Sequence, residues 1–490
     1  MISIIDISGV LLVLYWLRYF VRKRKELPLA VPILFTCFYL PKLNLIQVST
    51  LSTAGIRIDD FLALILLVVA IMDPATYRNR AVKWGFRMLL VLSAANLLSV
   101  FVGRLGGYDN QILLSILMVV RKFEYCSFAL VGIYAAGKLK NPYKTFYSEF
   151  TWLSVLLMIP AALQVMGKVT YAVNGTDLGD YLHGTAAATF NGYYEYGQYL
   201  CFACAVYICD LLSSREKAMI PKTQVPVSLI MLPLTLGILA VSKSRSSLVI
   251  GFLLVLIAVY FPIRPVISRA RLIAGGYGGI VILAAVTVLL TGVISVNILS
   301  RFGEAFTGDF FGKARVLLSK GNFRRYVTMI RTGLFEYNMI DQWGYLDYIS
   351  DWSMATRFLK WGAALDGFRL NPLLGYGTGV THVMDGNYVR LLGETGILGT
   401  SLWLIFYGGM MRFVWKLRHQ SRLGKAVLLM MLSILLNAVM IDMFDASKPM
   451  EIMWLLVGGV LAADSQRLSL GRPDGCLTRM TAAKAENGDL

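Results

Sequence analysis

"NPLLGYGTGVTHVMDGNYVRLLGETGILG" (371–399) decides how this chain is read. Glycines, a Pro, an Asp, an Asn and a Glu crowd into a few turns, then run straight into an apolar segment. Asn371-Pro372 stops a helix, and Gly375, Gly377 and Gly379 permit tight backbone turns. The glycine spacing is wrong for a nucleotide-binding loop, and no strand precedes it. Polar punctuation placed directly before a hydrophobic run is what a loop re-entering a membrane requires.

The rest of the chain repeats the alternation. Of 490 residues, 57% are hydrophobic and only 16% are charged, and the apolar residues come in long blocks. A soluble protein of this composition would expose large apolar patches. Runs of about 18 or more apolar residues read as membrane spans. About thirteen are expected, near 3–20, 27–41, 58–73, 88–105, 112–137, 149–166, 194–213, 225–242, 246–262, 272–298, 396–413, 426–442 and 450–464. The parts are spans over 1–298, a large loop over 299–395, three spans over 396–465 and a polar tail over 466–490. The fold class is an all-α polytopic membrane protein.

The net charge of +18 is not a nucleic-acid signature, because of where the cations lie. "RKRK" (22–25), "YRNRAVKWGFR" (77–87), "KLKNPYK" (138–144), "SREKAMIPK" (214–222), "RPVISRAR" (264–271) and "RFVWKLRHQSRLGK" (412–425) all fall on one side of the expected membrane. By the positive-inside rule that side is cytoplasmic. The N-terminus is then outside, the C-terminus is inside, and the first span is retained. Cys37, Cys126, Cys201, Cys204 and Cys209 sit in apolar segments, and Cys201-x-x-Cys204 lacks a second pair or a nearby His to make a metal site. Neither a metal nor another cofactor is expected.

The outward loop 299–395 is rich in Lys and Arg; long loops translocate regardless of charge. Within it, "SMATRFLKWGAALDGFRL" (353–370) places Met354, Phe358, Trp361, Leu365 and Phe368 on one helical stripe, with Arg357, Lys360 and Arg369 off it. Such a helix suits a membrane interface, and Ser353 suits its start.

Four groups carry chemistry. In "SKSRSS" (242–247), Lys243 and Arg245 stand among four serines at a hairpin tip. This is a solvated tip or an anion cradle, since guanidinium offers a planar fork to phosphate oxygens. Arg357 is the second cation; alone it would be a snorkelling interface residue, but a diphosphate has more oxygens than one guanidinium satisfies. Arg324, Arg325, Arg331 and Lys360 are weaker candidates for the same task. Third, Arg121 and Glu124 share a face of the fifth apolar run beside Lys122, and a structural ion pair is favoured over substrate binding. Fourth, Asp385 suits a general base or a hydroxyl acceptor, with His382 as the alternative and Asn387 and Tyr388 beside it. Glu394 suits the N-terminal end of the next helix.

Three stretches, in order, resemble one family. "SKSRSSLVIGFLLVL" (242–256), "TRFLKWGAAL" (356–365) with "NPLLGYGTG" (371–379), and "DGNYVRLLGETGILG" (385–399) are similar to signatures of the O-antigen ligase and Wzy-type polymerase superfamily. The resemblance covers roughly 225–415. It implies a GT-C-like helical glycosyltransferase in the bacterial inner membrane, acting at the periplasmic face on undecaprenyl-pyrophosphate-linked glycans, without a metal and with inversion. Membrane lipid, a flippase and a chain-length regulator are the partners it implies. Ligases of the family carry His-Asn where this chain has Asp385-Gly386, which favours the polymerase branch. Arg245, Arg357 and Asp385 are the catalytic residues this implies. The competing class is a lipid or polysaccharide transporter, but the halves of the chain carry no convincing internal repeat.

Overall fold

In a computed structural model of the chain, the described residues are 4–21, 30–40, 44–47, 55–77, 79–108, 112–139, 142–169, 185–190, 192–212, 224–242, 244–260, 310–332, 352–381, 384–418 and 422–470. They are almost entirely helical. The helices are α1 (Ile4–Val21), α2 (Ala30–Tyr39), α3 (Ile58–Met72), α4 (Arg80–Leu105), α5 (Ile112–Gly137), α6 (Pro142–Val165), α7 (Tyr193–Leu212), α8 (Gln224–Val241), α9 (Arg245–Tyr260), α10 (Phe310–Lys320), α11 (Phe323–Thr332), α12 (Trp352–Leu370), α13 (Asn387–Leu417), α14 (Arg422–Asn437) and α15 (Ser447–Leu470). A short antiparallel pair, β1 (Asn44–Gln47) and β2 (Gly55–Arg57), precedes α3. The expected span at 272–298, the basic loops at 22–25, 214–222 and 264–271, and residues 471–490 lie outside the described residues.

By length and composition, α4, α6 and α13 are long and apolar enough to cross a membrane. The expected spans at 88–105 and 396–413 fall within α4 and α13, and that at 149–166 matches α6 to within one residue. The described helices do not reach the expected number of spans, for physical reasons. At 1.5 Å per residue, the ten residues of α2 cover about half of a bilayer core of roughly 30 Å. Helix α5 has 26 residues, but Arg121, Lys122 and Glu124 interrupt its apolar run. The surface nonetheless has membrane character. Val13 and Leu17 on α1, Leu64 and Ile65 on α3, Phe101 on α4 and Ile405 on α13 are all exposed. Contiguous apolar surface of this kind aggregates in water.

Three basic stretches expected on the cytoplasmic side, 77–87, 138–144 and 412–425, are partly helical, the last because α13 runs to Leu417 and α14 starts at Arg422. Helix α4 starts at Arg80, so most of 77–87 belongs to it, because the Asn79 side chain accepts from the Ala81 N–H and caps its start. Helix α6 starts at Pro142 and takes in Lys144. Proline at a helix start gives up an N–H that has no intrahelical acceptor in any case.

The bundle packs where small residues let backbones meet. Helices α5 and α15 share an extensive interface. A Cβ at Gly132 would collide with the Leu455 carbonyl, and one at Gly458 with the Ala129 carbonyl. Helices α7, α8, α9 and α14 form a second packed group, and α13 lies against α4. Cys126, Cys201, Cys204 and Cys209, which sit in apolar segments of the sequence, are buried, free thiols.

Helix α12 spans the stretch expected to be helical, but its surroundings differ from a membrane interface. Helices α10, α11 and α13 cover it. Its buried residues include Ala355, Leu359, Ala363 and Ala364, whereas Leu365 on the expected stripe is 37% exposed. Small residues are buried because protein, rather than lipid, packs on that side.

Candidate functional site

The opening stretch folds back on a kink in α13. Gly396 has φ 62° and breaks the helix. A regular helix would bond Ile397 N–H to Gly393 C=O and Leu398 N–H to Glu394 C=O. Here the loop takes all four groups. Ile397 N donates to Pro372 O (2.9 Å) and Leu398 N to Leu373 O (3.1 Å). Tyr376 N donates to Gly393 O (3.0 Å) and Gly377 N to Glu394 O (3.1 Å). Residues 371–381 are thereby fastened to α13, with Tyr376 fully buried against Phe323 of α11. Glu394 differs from the helix-end role expected of it. It is 1% exposed and its Oε1 accepts from Thr381 N (3.1 Å), Thr381 Oγ1 (2.9 Å) and Arg390 Nε (3.1 Å).

The loop delivers Asp385 to Arg357. Arg357 Nε lies 3.7 Å from Asp385 Oδ2, and both side chains are partly exposed. One helical turn along α12, Trp361 Nε1 donates to the Asp385 carbonyl at 2.7 Å. Residues 357 and 361 are four apart and share a face of α12, so one helix grips both the backbone and the carboxylate of Asp385. Gly386 follows with φ 90°, and a Cβ there would collide with the Trp361 ring. Only glycine lets the chain turn against the indole.

Asn387 then anchors the start of α13. It is 3% exposed; its N–H donates to Ala438 O (2.8 Å), its Oδ1 accepts from Phe444 N (2.8 Å), and its Nδ2 donates to Asp442. Tyr388 donates to Leu435 O at 2.9 Å. Both are engaged with α14 and the turn after it.

Below this anchor is a buried charge cluster. Arg390 is 2% exposed and bonds Glu394, Asp442 and Asp445, the last at 3.0 Å. Lys122, 8% exposed, reaches the same place from α5. Burial opposes ionisation of Asp445, but Lys122, Arg390 and Arg121 outweigh it and hold its carboxyl below the ordinary value. Lys122, Asn96, Asn387, Arg390 and Asp445 line a cavity of about 10 Å³, room for one water molecule. Sequence reading missed Arg390, Asp442 and Asp445. The Arg390–Glu394 spacing of four was a local signal; the pairing of either with 442–445 had none.

Arg245 opens α9, half-buried. Ser244 Oγ donates to Ser247 Oγ (2.8 Å). Ser247 accepts from Asn437 (3.4 Å), which also donates to Gln198 Oε1 (2.5 Å). Asn437 ends α14, one residue before the Ala438 carbonyl that holds Asn387. A buried polar chain therefore runs from the head of α9 to the anchor beside Asp385.

Of the other expected site residues, Lys360 is 1% exposed, so it is a buried residue of α12 and not a surface cation. Arg324 and Arg325 are exposed on α11, which also carries Arg331. Arg121 is half-buried on α5. Lys243 and His382 lie outside the described residues. Compared with known proteins, the chain matches no family model. It also matches no curated relative.

Proposed function

We propose that this protein is a polysaccharide polymerase. It extends undecaprenyl-pyrophosphate-linked oligosaccharide repeats at the periplasmic face of the bacterial inner membrane, as a metal-independent inverting glycosyltransferase of GT-C type. The observation that carries this reading is the Arg357–Asp385 pair held by Trp361, tied through Asn387, Asn437 and Ser247 to the head of α9, where Arg245 stands. The order of the three sequence signatures supports it as well.

An acceptor hydroxyl attacks the anomeric carbon of the donor sugar. The bond from that carbon to the diphosphate breaks, and its electron pair leaves with the lipid diphosphate. Arg245 and Arg357 stabilise the charge that builds on the leaving oxygens. Asp385 takes the hydroxyl proton. The 3.7 Å pair gives an order to these events. Without donor, Arg357 holds the Asp385 carboxylate; a diphosphate with several anionic oxygens draws the guanidinium away and frees the base. The test is to replace Arg245 with Ala and profile lipid-linked sugars in cells. Single repeats should accumulate, because losing one such donor costs about 2.7–4 kcal/mol, or a hundred- to a thousandfold in rate. Polymer of normal length from a stably inserted variant would refute the assignment.

A further inference from the structure

The head of α7 holds groups that the mechanism above leaves unused. Glu195 is 4% exposed, and among the described residues its Oε2 has no hydrogen-bond partner. A buried carboxylate accepts hydrogen bonds and donates none, so an orphaned oxygen calls for a donor. Beside it, Tyr193 and Tyr194 meet edge to face, with ring centroids 5.9 Å apart, and both are half-buried. One turn along, Gly197 lets α7 meet α9: a Cβ there would stand 2.8–2.9 Å from Ser247 and Ser244. On the same helix, Gln198 accepts from Asn437 (2.5 Å), and the adjoining Ala438 carbonyl holds Asn387, two residues after Asp385. The head of α7 therefore adjoins both Arg245 and the Asp385 turn.

From this juxtaposition we propose that Tyr194 and Glu195 form the subsite for the acceptor sugar. A pyranose has an apolar C–H face and a rim of hydroxyl donors. An aromatic ring takes the first and an orphaned carboxylate oxygen the second. Asp385, on the turn that Asn387 ties to this helix head through Asn437 and Gln198, is the group assigned to the attacking hydroxyl, so the sugar held here is the acceptor. The proposal rests on the polymerase reading for that assignment alone; carbohydrate binding is testable without it.

The experiment uses the full chain in lipid nanodiscs and saturation-transfer NMR with two probes. One is the repeat oligosaccharide released by mild acid from the host's own surface polysaccharide. The other is farnesyl diphosphate, which carries no sugar. Tyr194→Ala and Glu195→Gln should each weaken oligosaccharide binding roughly tenfold, the loss of about one charge-assisted contact, and leave farnesyl diphosphate binding intact. Intact diphosphate binding also reports that the variants are folded. Tyr194→Phe keeps the ring and should bind like the parent. Oligosaccharide binding unchanged in both Tyr194→Ala and Glu195→Gln overturns the subsite, as does a parent protein that binds no oligosaccharide. A parent that binds oligosaccharide through Tyr194 but ignores farnesyl diphosphate keeps the subsite and refutes the polymerase reading instead.

Discussion

Asp385 is held at two points by one helix, and the two can be separated by substitution. Trp361→Phe keeps an aromatic side chain, smaller than the indole, and loses the N–H that reaches the Asp385 carbonyl. It should cost about 1 kcal/mol in stability, the usual net value of a hydrogen bond. On the proposed function chain extension should fall much further, because Asp385, the proposed base, is no longer fixed. A melting curve beside a polymer-length assay checks this, and equal small losses in both would show that the clamp has no role in turnover. Arg390 is a different kind of residue. Glu394, Asp442 and Asp445 all pair with it, and Arg390→Ala leaves one buried and two half-buried acids short of a cation. Removing one partner from such a cluster costs about 3–5 kcal/mol, so this variant should fail to accumulate as folded protein. Asp445 adds a pH signature. Its folded pKa is lowered, so its contribution is full above the ordinary carboxylate value and is lost as pH falls through the lowered one. Asp445→Asn should therefore flatten the acid limb of melting temperature against pH, and an unchanged limb would contradict the assignment.

At the scale of elements, the kink in α13 joins loop to site. The four backbone groups released around Gly396 are the ones residues 372–377 bind, so the kink and the loop form one unit. Gly396→Ala meets two obstacles: φ 62° disfavours a side chain, and a Cβ would run into Leu373. It should lower the melting temperature in detergent and loosen 371–381, read as faster hydrogen exchange at Tyr376 and Gly377; unaltered exchange there would contradict the linkage. Part of this element was legible in sequence. Asn371-Pro372 marked the end of α12, and apolar sequence marked the start of a span at 396. The partner of each freed backbone group was not legible, because a kink shows only as a glycine. The face of α12 was misjudged for a related reason. The aromatic stripe was read as facing a membrane interface, yet Phe358 on it is buried with Ala355, Ala363 and Ala364, because α10, α11 and α13 approach closely.

For the whole molecule, composition disclosed a helical protein with an apolar exterior, since burying the chain in lipid leaves its surface as apolar as its interior. The number of spans was harder to read, because several apolar helices are short or interrupted by charge. Arg121 and Glu124 were read as partners on one helix, but their neighbour Lys122 acts on Asp445, more than three hundred residues on, a distance no local pattern encodes. Arg357 and Asp385 each stand in a recognisable stretch; Arg390 also lies in one, but nothing beside it in the sequence points to its partners at 442 and 445. On the proposed function, this assembly joins lipid-linked repeats without help. The direct measurement is to give the purified full chain, in liposomes, only undecaprenyl-pyrophosphate-linked repeats and to follow products by gel over time. A ladder of lengthening lipid-linked glycan, with one carrier diphosphate released per repeat added, is the predicted result. Folded protein that leaves every repeat single would contradict it.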